Sequence, residues 1–454
     1  MHRRKSLLMA GLAGLAALVH APASAETVAQ ALASAYRSNP EINSARANTR
    51  SVDENVPIAR SGNRPIISAF SDVTGRAQDP APFGGRSQSL DGSIGLQVQQ
   101  NIFRGFRTRN AIRESEAGVL ASRELLRNTV QNVLFDAAQA YYDVLRDIAI
   151  LDIRRRNVLF LEEQVRAADE RFNVGENTRT DVAQTRARLA SARAEVSLAE
   201  SNLAANRALY RRFIGNEAGG LVGGFPFGRL IPRRETQAVT IAQNGHPVIL
   251  ASIHQADAQS FEVNQIEGEL LPTVGVEGTL QRNEDFNTAG DFNAATITGR
   301  VSVPIYQGGA VSARIRQAKE QYGLRKIEVD LARDQVRAAV VTAWAQVEAA
   351  RGAISAAREG VEAAELALSG AQEEQRVGQR TTLDVLDAQQ ELLNVRETLI
   401  IAERNQVVAS FALVSAMGRL TAEQLRLDTP VYDPVEHYTA VRDKWYGSRT
   451  PDGR

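Results

Sequence analysis

Val174-Gly175-Glu176-Asn177-Thr178-Arg179-Thr180-Asp181 and Val377-Gly378-Gln379-Arg380-Thr381-Thr382-Leu383-Asp384 are one turn written twice, 203 positions apart. Each holds a glycine, the residue that most readily takes the left-handed conformation that ends a helix. Three residues on, Thr178 or Thr381 stands where a side-chain oxygen can cap the next helix, with Asp181 or Asp384 placed to complete a capping box. Each stretch therefore predicts a tight reversal between two helices. The same spacing extends outward without a gap: Phe103-Arg104-Gly105 matches Tyr306-Gln307-Gly308, and Ile214-Gly215 matches Met417-Gly418. Farther upstream Asn39-Pro40 pairs with His246-Pro247 and Arg64-Pro65 with Leu271-Pro272, now 207 apart, so the copies differ in length only between Pro65 and Phe103. An internal duplication this long outranks any local motif as an organising fact.

Each copy contains a strand-like stretch and a rod-like stretch. In the first, Ile67, Ala69, Ser71 and Val73 alternate with Ser68, Phe70, Asp72 and Thr74, and after a Gly/Pro-rich loop at 79–85 the alternation resumes through Ile94, Leu96 and Val98. In the second, Val274, Val276 and Leu280 oppose Glu277, Thr279 and Gln281, and Ile297, Val301 and Val303 oppose Thr296, Thr298, Arg300 and Ser302. Period-two patterning with one apolar face predicts a hairpin in each copy, about 66–102 and 273–305. Alternation alone fits a half-buried soluble sheet as well as a membrane strand. The segment after each hairpin is different in kind: from Gly105 to Gly175 and from Gly308 to Gly378 there is no proline, alanine is abundant, and apolar residues recur at three and four. Long helices over 105–174 and 309–377 are predicted, each about 100 Å long at 1.5 Å per residue. Helices over 180–214 and 383–417 return alongside them, in a coiled-coil wall. The division of the chain is then a first repeat at 26–215, a flexible Gly-rich linker at 216–236, a second repeat at 237–418 and a polar tail at 419–454 that wraps the outside or is disordered.

Arg3, Arg4 and Lys5, an apolar run from Leu7 to Val19 and Ala23-Ser24-Ala25 have the layout of a secretory signal peptide over residues 1–25. The whole chain carries 53 basic and 53 acidic residues, so losing the three basic ones of the leader leaves the remainder slightly acidic. That balance gives no reason to expect a nucleic-acid partner. There is no cysteine, which excludes disulfides, thiolate metal sites and a lipidated N-terminal Cys. His246, His254 and His437 are scattered without metal-ligand spacing, and no nucleophile elbow occurs, so neither an enzyme nor a cofactor or metal site is expected. Beyond the leader, charged residues interrupt every apolar run before it could span a bilayer as a helix. If the chain spans a membrane, strands do it.

At the tips, Asp181 and Asp384 are sufficiently explained as capping residues. Asp387 is not, and its counterpart in the first copy is Gln184, so the repeat is broken there. Asp384 and Asp387, three apart, share a helix face. A solvated face is the plain reading. Where several subunits meet, the pair becomes a ring of carboxylates that attracts cations.

These residues together resemble the TolC-type outer membrane channels of type I secretion and multidrug efflux, across essentially the whole chain after the leader. The resemblance rests on Val377 to Ala388, the elements around Gly105 and Gly308, the Asn39-Pro40 start and the stretch from Ile58 to Pro65. It implies a mainly α fold with a small β part: an internally duplicated coiled-coil barrel in the periplasm and four membrane strands per chain, making a 12-stranded outer membrane barrel in a homotrimer. It further implies Asp384 and Asp387 at the aperture, and Arg380 as a latch between coiled coils with Thr180 and Asp181. Gly175, Thr178, Gly378 and Thr381 would be the tips contacted by a periplasmic adaptor, itself joined to an inner-membrane ABC transporter or proton-driven pump. Outer membrane lipid would meet Ile67, Ile94, Leu96, Val98, Val274, Val276, Leu280, Ile297, Val301 and Val303. Gln375 stands where the family often has Tyr in its closing network. Strand number agrees with the trimer independently, since eight strands leave an interior that side chains nearly fill and twelve give the first useful lumen. The alternative is a periplasmic coiled-coil adaptor or structural envelope protein, which would lack channel activity.

Overall fold

The computed structural model describes residues 26–78, 87–176, 178–286 and 290–453; the leader, the loop at 79–86 and Asn177 lie outside them. In the first copy α1 (Val28–Ser38), α2 (Pro40–Asp53) and α3 (Asn55–Ser61) lead into β1 (Ile66–Gln78) and β2 (Ser87–Arg104), then α4 (Arg107–Asn173) and α5 (Arg179–Ile214). The second copy repeats the plan with α6 (Glu235–Gly245), α7 (Pro247–Glu267), β3 (Thr273–Asp285), β4 (Phe292–Ser302), α8 (Ala310–Arg376) and α9 (Thr382–Ala416). The tail adds α10 (Ala422–Leu425) and α11 (Pro434–Val441). Both long helices are 67 residues, about 100 Å each.

The reason α8 can be so long is legible in its buried positions. Val329, Val336, Ala343, Ala350, Ala357, Ala364 and Ala371 recur every seven residues, with Val340, Val347 and Ile354 four beyond. A sustained seven-residue repeat is the seam of a coiled coil, and its small side chains let α9 approach closely. In the same way α4 packs on α5. At the other end of the rods α2–α3, α4, α7 and α8 lie side by side in that order. The strand-to-helix junction is tight: at Gly105, φ +60°, a Cβ would sit 2.2 Å from the Gly268 carbonyl oxygen.

The four strands form one antiparallel sheet in the order β1-β2-β3-β4. Register sets which side chains share a face, because directly opposed residues in an antiparallel pair point the same way. Ile67 opposes Val98, Val98 opposes Gly278 and Gly278 opposes Ile297; Leu96 opposes Leu280; Val274 opposes Val301. Ile94 and Val276 fall on the same parity, so nine of the ten predicted apolar residues share one face of this sheet. The exception is Val303. β4 ends at Ser302, and Val303 precedes Pro304, which has no N–H to extend a ladder. In the first copy the corresponding residues are Gln100 and Asn101, and β2 continues past a bulge to Arg104 because β3 pairs with it on its far side.

An aromatic girdle joins the copies midway along the rods. Tyr141, Tyr142, Tyr210 and Phe411 pack together, and Phe225 and Phe227 of the linker stack on Phe411 at 5.1 and 5.8 Å between ring centres. The Tyr141 hydroxyl, 2.7 Å from the Glu26 carbonyl and 2.8 Å from that of Val222, fixes the linker to the chain start. The expectation of a flexible linker is therefore corrected: its glycines permit the path, and buried Phe227 with half-buried Phe225 hold it. The tail is ordered too, packed along α2.

Candidate functional site at the helix tips

Both tips close in the same way. In the first, the Gly175 N–H donates to the Phe172 carbonyl at 3.0 Å and the Glu176 N–H to the Arg171 carbonyl at 2.8 Å. In the second, Gly378 donates to Gln375 at 3.0 Å and Gln379 to Glu374 at 2.9 Å. This is the paired bonding of a Schellman turn, and it needs Gly175 and Gly378 at φ +85° and +78°. The return helices start on capping boxes. The Thr178 hydroxyl and N–H donate to the Asp181 carboxylate at 2.7 and 2.9 Å, and Thr381 does the same to Asp384 at 2.7 and 2.8 Å. The Thr178 hydroxyl and N–H hold the Asp181 carboxyl below its ordinary range, and those of Thr381, with Arg380 adding a smaller share, do so for Asp384. Both caps are therefore charged at neutral pH, and their contribution is lost only as acid takes the pH down through these lowered pKa values.

The ionic contacts divide by location. Arg380 donates to Glu374 at 2.9 Å and lies 4.0 Å from Asp384, both in its own tip. Gln375 donates to the Thr382 hydroxyl at 3.1 Å, also within its hairpin. Thr180 is exposed, and the Asp181 carboxylate is occupied by its cap. Within the chain Arg380 therefore pairs with Glu374 and Asp384, and with neither Thr180 nor Asp181.

Within one chain, Arg188 of α5 bridges the hairpins by donating to Asp387 of α9 at 2.7 Å. Below it, Leu161, Ala192 and Leu386 make a small apolar contact between the hairpins. Gln389 donates to Asn157 at 3.2 Å, Arg154 grips Glu397 at 2.6 and 3.1 Å, and Arg404 lies 2.9 Å from Asp143. The Glu397 hydrogen bond raises the Arg154 pKa above its ordinary value. Arg188 and Arg154 were missed in the sequence, although Glu391 in place of Arg188 is the same kind of broken repeat that singled out Asp387.

A sheet with one apolar face continuous with four side-by-side rods, and paired tips tied by charges, defines a wall segment of a membrane duct. The profile of the outer membrane efflux protein family matches residues 27–216 and 238–419, one block on each copy, and the chain belongs to that family. It is 44% identical to the outer membrane efflux protein BepC of Brucella suis over 99% of this chain and 97% of the relative. Outer membrane protein TolC of Escherichia coli is 25% identical over 90% and 86% of the two chains, and the alkaline protease secretion protein AprF of Pseudomonas aeruginosa 26% over 73% and 70%. Among solved structures, the CmeC outer membrane channel of Campylobacter jejuni superposes with a TM-score of 0.78 at 17% identity, covering 92% of this chain and 89% of that one. The protein is accordingly an outer membrane channel protein with its long helices in the periplasm, and not an enzyme.

Proposed function

We propose that three copies of this chain close into a channel-tunnel that serves as the exit duct for multidrug efflux, type I protein secretion or both. The observation that carries this reading is the sheet: β1 and β4 each have a neighbour on one side only, and unpaired edges of this length seek a partner. Pairing β4 of one copy with β1 of the next gives twelve strands, with the nine-residue apolar face toward lipid and Glu277, Thr298 and Arg300 toward water. The names of the relatives span both duties, efflux for BepC and protease secretion for AprF. In this reading the tips are the periplasmic entrance. Asp384 and Asp387 ring the aperture, Arg380 reaches Thr180 and Asp181 of a neighbouring copy when its own-tip contacts are released, and Gly175, Thr178, Gly378 and Thr381 meet a periplasmic adaptor linked to an inner-membrane pump. The purified protein should be a trimer in detergent and conduct ions across a planar bilayer. A non-conducting monomer would overturn the proposal.

A further inference from the structure

From Tyr432 onward the tail climbs the first copy in strict order. The Tyr432 N–H donates to the Tyr36 hydroxyl at 3.1 Å, His437 lies 2.9 Å from Asp53, Asp443 pairs with Arg60, and the Lys444 carbonyl accepts from Arg64 at 2.7 Å. The indole of Trp445 then stacks under the Arg64 guanidinium at 4.8 Å. Partners at 36, 53, 60 and 64 mean that the tail runs parallel to α2 and α3, and that Lys444 and Trp445 reach Arg64, two residues before β1. This part of the tail is therefore held where the helices meet the strands.

What is presented there is unusual for a tail. Trp445 is 67% and Tyr446 91% exposed; Arg64 stacks on the indole, and Lys444 and Arg449, close by in sequence, are joined by a bond from the lysine ammonium to the Arg449 carbonyl. At the same level, the strand-to-helix junction of the second copy exposes Ile305 and Tyr306. Amphipathic rings beside basic side chains suit the zone between lipid headgroups and acyl chains, where an indole keeps its body in hydrocarbon and its N–H in water. Exposing Trp and Tyr to water with no such partner leaves apolar area unburied.

We infer that Trp445 and Tyr446 dock the C-terminal tail into the phospholipid interface of the periplasmic leaflet, with Arg64, Lys444 and Arg449 meeting lipid phosphates. The inference rests on the strands spanning the membrane. The tail would then act as a strap from the aromatic girdle to the bilayer, fixing how deep the strands sit.

The chain has only two tryptophans, so Trp344→Phe leaves Trp445 as sole reporter. In nanodiscs of phosphatidylethanolamine and phosphatidylglycerol, lipids brominated near the headgroup end of the acyl chain should remove most of its emission. Trp445→Phe, which leaves Trp344 among the helices, should be unaffected. Ile297→Trp on a background lacking both native tryptophans reports on the strands separately. If that variant is quenched and Trp445 is not, the tail does not touch lipid and the inference falls while the membrane strands stand. If neither is quenched, both fall. Strong quenching of Trp445 by aqueous iodide but not by brominated lipid likewise overturns it.

Discussion

The contacts inside each hairpin and the contacts between the two hairpins obey opposite rules. Inside, some ion pairs are duplicated along with the fold: Arg155–Glu200 in the first copy returns as Arg358–Glu403 in the second, and Arg193–Glu162 returns as Arg396–Glu365, whereas Arg186–Asp169 has only Gln389 and Gln372 opposite it. Between hairpins no pair is duplicated among the described residues. Arg154 faces Glu397 where the repeat partners are Ala357 and Ala194, Arg404 faces Asp143 where they are Ser201 and Gln346, and Arg188 faces Asp387 where they are Glu391 and Gln184. A hairpin meets the same internal packing in both copies, so its pairs can repeat, and two of them do. In the proposed tube there are two seams, α4 on α9 within a chain and its counterpart between chains, and these would be free to differ. The difference teaches that the chain can hold one seam by charge while leaving the other to be made or broken separately.

The largest expected effect tests that logic where the copies share a role but not a residue. Asn39 caps α2 by accepting from the Glu41 N–H at 2.8 Å, and His246 caps α7 by accepting from the Val248 N–H at 3.2 Å. Both are buried, but only His246 titrates near neutrality. Burial, and the nearby Arg127, push it down from 6.5 to about 4. The unfolded chain takes up this proton below about pH 6.5 and the folded chain does not until about 4, so acid removes stability across that window, up to about 3 kcal/mol. Denaturant unfolding of the wild type should weaken between pH 7 and 4, and His246→Asn, copying the first repeat, should flatten that slope. An unchanged slope would show that the two caps are equivalent.

Next in size is the contrast between seam and hairpin. Glu397→Ala leaves a mostly buried Arg154 without its two-pronged partner, at a cost of about 2 kcal/mol. Glu200→Ala removes an exposed, duplicated pair worth roughly 0.5 kcal/mol. Hydrogen exchange should accelerate in α9 facing α4 for the first and change little for the second, and the tips of the Glu397 variant should separate enough to raise single-channel conductance. Equal effects would erase the distinction.

Legibility in the sequence splits along the same line. The period-seven seam of α8, the apolar strand face and both tip turns are local patterns, so they could be read in order along the chain. Contacts across copies depend on how two 67-residue rods are rotated against each other, which no local pattern specifies. For that reason Asp387 and Arg188 each break the repeat, but nothing local marks the two, in different hairpins, as partners. The linker misled for a related reason: its five glycines suggested freedom, and only the tertiary packing of Phe225 and Phe227 against Phe411 shows it pinned. Val303 fitted the alternation, but the proline after it ended the strand.

The smallest energetic effect bears most directly on gating. Arg188 and Asp387 are both about half exposed, so their bridge is worth no more than about 1 kcal/mol. Its consequence in the proposed trimer is electrostatic: there, while Arg188 holds Asp387, a carboxylate ring at the aperture would be partly neutralised. Arg188→Ala should leave stability nearly unchanged yet strengthen block by multivalent cations in a planar bilayer, because the ring regains its full charge. Asp384→Ala with Asp387→Ala should weaken the same block. Exchanging the charges with Arg188→Asp and Asp387→Arg should restore the bridge but carry the cation in the second copy. If the ring is built from that copy alone, block then weakens as in the double alanine variant; if the first copy also faces the axis, block persists with the carboxylate now supplied from α5. That single exchange separates a bridge that merely holds two hairpins together from one that decides which hairpin shows its charge to the pore.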